Sequence, residues 1–313
     1  MSVIHVQSPG LLTTVQDLGR EGFGPLGVSP SGAADPISLR IGNRLVGNPE
    51  SAAGLEMTLL GGTFLFPQPA TIALTGSDFG ATLDGVPLTP WNSTEVSAGQ
   101  TLRVGSTRSG ARCYLSLYGG IMVNPFLGSA STHLLSGLGG YQGRALRKGD
   151  VLRLGREIAP FRKRTVDAQS LEPLAPRKIL RVTAGPQSDW FPQSSLRAFY
   201  ENTYRVAEES NRMGLRLEGH SITRESTDEM ITEGVSLGAI QITASGLPII
   251  LFVEQQTTGG YPKIANVISA DLHSLGQLRP RDEIRFEQVS WDAARTLLLE
   301  QEQLLASDGL IVE

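Results

Sequence analysis

Apolar and polar residues alternate over short stretches along most of the chain. GGTFLF (61–66), ATIALTG (70–76), TLRVG (101–105), CYLSLYGG (113–120), VLRLG (151–155) and ILRVTAG (179–185) each read as a strand. So do AIQIT (239–243), LPIILFV (247–253) and EIRFEQV (283–289). Turn residues separate them at the intervals of an all-β sandwich or barrel. One pattern recurs three times: VSAGQTLRVG (96–105), LRKGDVLRLG (146–155) and LRPRDEIRF (278–286). Each is a turn feeding an alternating strand, which hints at duplicated β modules.

A helical period shows in few places. GAADPISLRIGNRLVGN (32–48) sets Ala33, Ile37, Ile41 and Leu45 at steps of four, with Pro36 in the first turn and Gly47 as the stop. SSLRAFYEN (194–202) is a shorter candidate. SWDAARTLLLEQEQLLAS (290–307) predicts a helix capped by Ser290, with Trp291, Ala294, Leu297, Leu298 and Leu304 on one broad face. REIAPFRKRTVDAQSLEPLAPRK (156–178) is charged, proline-rich and weakly periodic, and reads as a linker. It divides the chain into 1–160 and 177–313.

Composition narrows the class. The 313 residues are 40% hydrophobic and 19% charged, which is globular. Net charge is −4, so electrostatics favour neither nucleic acid nor an anionic membrane as partner. Cys113 is the only cysteine, so no internal disulfide forms and the reducing cytoplasm fits. MSVIHVQSPG lacks a basic segment followed by an apolar core, so no secretory signal is expected. No apolar run approaches the length of a membrane span.

Familiar catalytic motifs are missing from the sequence. The four histidines are scattered, so no metal site is expected. There is no G-x-S-x-G elbow and no Walker-type phosphate loop. GREGFGPLG (19–27) does not join a strand to a helix as a dinucleotide loop does. Four polar clusters remain. TTVQDLGR (13–20) holds Gln16, Asp17 and Arg20, and a surface Asp17–Arg20 ion pair would also explain it. GPQSDWF (185–191) follows a strand end, where an Asp-led turn serves equally well. EESNRMGLRLEG (208–219) offers Arg212, or simply a basic turn. The fourth joins EGVSLGAIQI (233–242) to EQQTTGGYPKIANV (254–267), a strand exit unusually rich in amide, hydroxyl and backbone donors.

Together these segments resemble one family. VQSPGLLTTVQDLGREGFGPLGVSPSGAADPISLRIGNRLVGN is similar to the N-terminus of the biotin-dependent carboxyltransferase-like family, also called allophanate hydrolase subunit 2. GPQSDWF, SNRMGLRL, EGVSLGAIQI and QTTGGYPKIANVISADL resemble its C-terminal half. Within the family, the chain resembles the single-chain branch of 5-oxoprolinase C subunits, also called KipA. The resemblance implies a mainly β fold: two cyclophilin-like β-barrel domains with a few short helices. It implies pairing with two further chains, one KipI-like (the B subunit) and one LamB/YcsF-like (the A subunit). That assembly is an ATP-dependent lactam hydrolase that opens 5-oxo-L-proline to L-glutamate. Other members are urea carboxylase carboxyltransferases using carboxybiotin, or regulators that antagonise a KipI-like kinase inhibitor.

Urea, the biotin ureido ring and the 5-oxoproline lactam share a flat N–H and C=O edge. Gln16, Gln256 and Asn266 carry both donors and acceptors for such an edge. Ser236, Thr257, Thr258 and Tyr261 add hydroxyls, and Gly259 and Gly260 let backbone amides approach. Arg20 or Arg212 suits the substrate carboxylate, Asp17 or Glu233 a general base, and Lys263 developing negative charge on oxygen. TTVQDLGR and QTTGGYPK are expected to converge on one polar cleft between the domains. No cofactor is intrinsic to the chain. ATP is expected to be handled with or by the partner chains, leaving this chain inactive alone. Two positions depart from the family pattern: Glu254 stands where aspartate is usual, and Arg281 where the last turn usually has glycine.

Overall fold

The structure is a computed structural model that describes residues 2–155, 160–224 and 230–313. The first residues of the expected linker, 156–159, lie outside the described residues. The fold is mainly β, and every stretch read as a strand from alternation contains one. The chain forms two compact units. One comprises Met1–Arg20, Ser31–Leu174 and Leu304–Glu313; the other comprises Glu21–Pro30 and Ala175–Gln303.

In the first unit most strands form two large sheets. One is seven-stranded, from Ile121–Met122 through Val3–Ser8 and Thr63–Leu65 to Val86–Pro87. The other is five-stranded, with Arg112–Leu117 at its centre. Their inward residues, among them Ile4, Val6, Leu55, Phe64, Leu102, Leu115 and Leu152, make one core. In the second unit seven strands close into a barrel: Ile179–Ala184, Lys263–Val267, Ala239–Ile242, Pro248–Leu251, Gly214–Glu218, Tyr204–Val206 and Glu283–Gln288. Parallel pairing of Ile179–Ala184 with Glu283–Gln288 closes the ring. Helix Gln193–Glu201 stacks Phe199 on Phe286, with ring centroids 4.6 Å apart.

The threefold sequence pattern is one structural module. In each copy an i to i+3 backbone bond closes a turn: Gln100 N–H to Ser97 O, Asp150 N–H to Arg147 O, and Asp282 N–H to Arg279 O. The side chains of Gln100, Asp150 and Asp282 accept back from the N–H groups of Ser97, Arg147 and Arg279 at 2.7–2.8 Å. The residue before each is left-handed: Gly99 (φ 86°), Gly149 (φ 92°) and Arg281 (φ 72°). Positive φ at the third position alone defines a type II turn, which normally demands glycine there. Each turn also bonds to a neighbouring strand in the same way, through Phe66, Val6 and Val206.

Helix Pro36–Val46 follows its pattern. Ile37, Ile41 and Leu45 are buried, Asp35 caps Ser38 N–H at 3.0 Å, and Gly47 is left-handed at φ 82°. Helix Trp291–Ala306 forms and Ser290 Oγ accepts from Ala293 N–H at 3.1 Å, but its predicted face is buried unevenly. Trp291 is 71% exposed, and Leu305, not assigned to that face, is the buried residue. The linker reading also fails over 165–174. Thr165–Val166 pairs with Ile311–Val312, and Asp167 caps helix Ala168–Leu171. Val166 and Leu174 pack with Ile41, Leu45, Leu305 and Leu310, so two apolar residues among the charges hold this segment in a core. No helix among the described residues is long and apolar enough to cross a membrane.

Candidate functional site

The strand exit 254–267 places a buried lysine against a partly exposed glutamate in the second unit. Lys263 opens strand Lys263–Val267 and is only 4% exposed. Its ammonium is in ion-pair contact with Glu233, whose side chain is about half exposed. Gln187 Nε2 donates to the same Glu233 oxygen at 2.9 Å, and Gln187 Oε1 accepts from the Lys263 N–H at 3.1 Å. The Lys263 ammonium, then the Gln187 amide, hold the Glu233 carboxyl below the usual carboxylate range. The ammonium finds no acceptor in good hydrogen-bond geometry among the described residues. A buried cation with unspent donors is costly unless something else uses them.

A short two-stranded ladder sets this arrangement. Glu233–Gly234 pairs antiparallel with Thr258–Gly259, so Glu233 faces Gly259. Gly259 is required by space: a Cβ there would stand 2.5 Å from Gln241 Nε2 and 3.1 Å from Gln256 Nε2. Gly185 has the same duty behind Lys263, where a Cβ would meet the Lys263 carbonyl oxygen at 2.2 Å. Gln256, Thr258, Gly260 and Tyr261 are exposed, and Thr257 is half-buried. Ser236 Oγ donates to Asn266 Oδ1 at 2.8 Å, and Asn266 Nδ2 donates to Val267 O. Those two side chains are therefore largely committed to each other and to the backbone.

Arg212 and Glu254 form a buried ion pair, Nε to Oε1 at 2.5 Å. Backbone bonds run alongside it, from Glu254 N–H to Arg212 O at 2.8 Å. The guanidinium expected to hold a substrate carboxylate thus already holds a protein one. The same contact gives the longer side chain of Glu254 its place.

Asp17, Arg20 and Gln16 lie in the first unit and are described separately. The Asp17 carboxylate accepts from Ser129 Oγ (2.6 Å), Ala130 N–H (2.6 Å), Ser131 Oγ and Gly19 N–H (2.8 Å). Four donors occupy roughly all the lone-pair sites of a carboxylate. Arg20 donates from Nη2 to Ser131 O and lies over the Phe126 ring at 5.5 Å. Gln16 Nε2 donates to Thr14 Oγ1 and Thr132 O, while its buried Oε1 has no partner among the described residues. These contacts tie the 13–20 segment to the 126–132 loop.

The carboxyltransferase domain family, subdomain A and B, matches residues 26–288. The chain belongs to that family. It is 39% identical over 293 residues to the 5-oxoprolinase C subunit of Escherichia coli (strain K12), covering 93% of each chain. It is 36% identical over 300 residues to the C subunit of the Haemophilus influenzae 5-oxoprolinase, covering 96% of each. The crystal structure of Kluyveromyces lactis urea amidolyase matches with a TM-score of 0.92 at 34% identity. That match covers 99% of this chain and 21% of the yeast one, so the chain spans about a fifth of urea amidolyase.

Within this carboxyltransferase family member, the structure brings together Glu233, Lys263 and the ladder glycine Gly259. Gln187, which the sequence presents as a turn residue, joins them through two hydrogen bonds. Gln241 was not among the sequence candidates. Only strand register reveals that it stands opposite Lys263.

Proposed function

We propose that this chain is the C subunit of an ATP-dependent 5-oxoprolinase, acting with KipI-like and LamB/YcsF-like partner chains. The reading is carried by the two-way length match to two bacterial C subunits, where the urea amidolyase match covers a small share of a long chain. In this reading the second unit holds the lactam. Lys263 supplies positive charge where oxygen becomes negative during ring opening, in a place largely shielded from water. Glu233, held below the usual carboxylate range, is a weak proton acceptor near neutral pH and keeps the lysine charged. Asp17, filled by four donors, positions its loop. Activation by ATP belongs to the partner chains.

The test is co-expression with the two partner chains and an assay for glutamate formed from 5-oxoproline and ATP. The three-chain complex should turn over, and this chain alone should not. Robust ATP-dependent turnover by the pure chain would end the proposed division of labour. So would a stable complex that lacks the activity.

A further inference from the structure

Directly opposed residues on antiparallel strands share a face of the sheet. Three such pairings run in line across the outside of the barrel. Arg216 opposes Ile249, Ile249 opposes Gln241, and, across a bulge that leaves Ile264 unpaired, Gln241 opposes Lys263. The intervening residues Leu215, Ile250 and Ile240 are buried and point the other way, into the barrel. The row places an arginine and a lysine three strand spacings apart, roughly 14 Å between backbones, with a glutamine amide between them. A cavity of about 180 Å³ opens over the row, lined by Arg216, Gln241, Ile249 and Leu251 and by Gln256 and Tyr261 from the following segment.

Asn211 at the cavity's edge accepts from Met213 N–H, but the other polar side chains are weakly committed or free. Among the described residues the Arg216 guanidinium has neither an ion pair nor a hydrogen bond; its backbone bonds to Ser210 Oγ and accepts from Ala207 N–H. Gln241 is 2% exposed, yet its side-chain bond is a long one, from Nε2 to Tyr261 O at 3.5 Å. The Gln256 amide has no partner among the described residues. Burial of an amide costs free energy unless its hydrogen bonds are made. Both glutamine nitrogens approach Gly259, where only a glycine leaves them room.

The geometry points to a pocket for a small molecule with a carboxylate at one end and an amide edge at the other, in which Arg216 selects the carboxylate. The guanidinium fork takes a carboxylate through two parallel bonds. Gln241 and Gln256 each present a donor and an acceptor to the amide edge. Lys263 ends the row beyond the cavity's lining residues, with its ammonium against Glu233. The volume suits a single small ring and is below that of drug-sized sites. Urea, with no carboxylate, would leave Arg216 unused. The choice of 5-oxoproline as occupant rests on the 5-oxoprolinase reading; the pocket itself can be tested without turnover.

Calorimetric titration of the full chain with 5-oxoproline, 2-pyrrolidinone and urea is the test. 5-Oxoproline should bind at least tenfold more tightly than 2-pyrrolidinone, and Arg216→Gln should abolish that preference while leaving 2-pyrrolidinone within twofold. Arg216→Lys should recover part of it. Arg216 is exposed at the pocket rim, so these variants keep the fold. In the reconstituted complex, KM for 5-oxoproline should rise at least tenfold in Arg216→Gln, and by more than kcat falls. Equal binding of the carboxylate and its neutral analogue, no binding of either, or an unchanged Arg216→Gln variant would overturn the assignment. If the complex turns over but its KM ignores Arg216, the pocket fails and the function stands. If the chain discriminates through Arg216 but no complex opens 5-oxoproline, the function fails and the pocket stands.

Discussion

A buried lysine beside a half-exposed glutamate is a poor device for stability and a good one for holding charge. The pair must desolvate the ammonium, and its Coulomb gain against a solvated carboxylate is modest. Lys263→Met keeps the aliphatic stem and removes only the charge. It should cut kcat of the assembled complex by about 100-fold, the scale of losing one electrostatic donor, with little change in thermal midpoint. Lys148→Met, at an exposed turn, should leave kcat unchanged. The pH dependence has a definite sign. Glu233 is depressed in the folded chain, so its pairing contributes above the ordinary carboxylate pKa and is lost as pH falls through the lowered value. The stability of wild type relative to Lys263→Met should therefore fall on acidification, which denaturant titrations at several pH values would measure. Sequence singled out Lys263, Glu233, Gln256 and Gly259 by residue type. It could not pair Lys263 with Glu233, because a ladder between two non-consecutive strands brings them into contact. Nor could it show that Arg212 is answered by Glu254.

Elements were legible where one local rule decided them. The three matched turns are visible in the sequence because each needs a left-handed third residue followed by a side chain that accepts back. Arg281 breaks the rule for glycine and still adopts φ 72°, with its N–H bonded to Val206 O at 2.8 Å. That position therefore carries strain, partly offset by a surface ion pair with Glu208. Arg281→Gly should leave stability unchanged or raise it. Arg281→Val, which adds a branched Cβ in the left-handed region, should lower it by about 1–2 kcal/mol. Urea unfolding of the two variants checks the order; a more stable valine variant would contradict the strained turn. Strand Gly54–Thr58 escaped notice because Glu56 interrupts its apolar pattern. That carboxylate is buried and accepts from Ala34 N–H, Tyr114 OH and Arg112 Nε, so it behaves as part of the interior.

At the scale of the whole chain, segments distant in sequence complete the first unit. Residues 304–313 return to it: Ile311–Val312 pairs with Thr165–Val166, and Leu305 and Leu310 fill the cluster under helix Pro36–Val46. Arg44 donates to the carbonyls of Leu305 and Ser307, which end the last helix. A linear reading of charge and proline content cannot see such a return, since the two halves of the pairing are about 145 residues apart. The single thiol offers a way to measure how firmly this unit is closed. Cys113 lies on the central strand of the five-stranded sheet, is fully enclosed, and burial pushes its pKa far above the usual thiol value. Thiolate is the reactive form, so the native chain should resist a thiol reagent at pH 8 and react with one equivalent only on unfolding. The labelling rate should then rise with denaturant in step with global opening, because a central strand exchanges last. Rapid labelling of the native chain would mean that the sheet opens locally around Arg112–Leu117. Slow labelling that is accelerated by Leu305→Ala would show that the returning C-terminal segment is part of what keeps the unit shut.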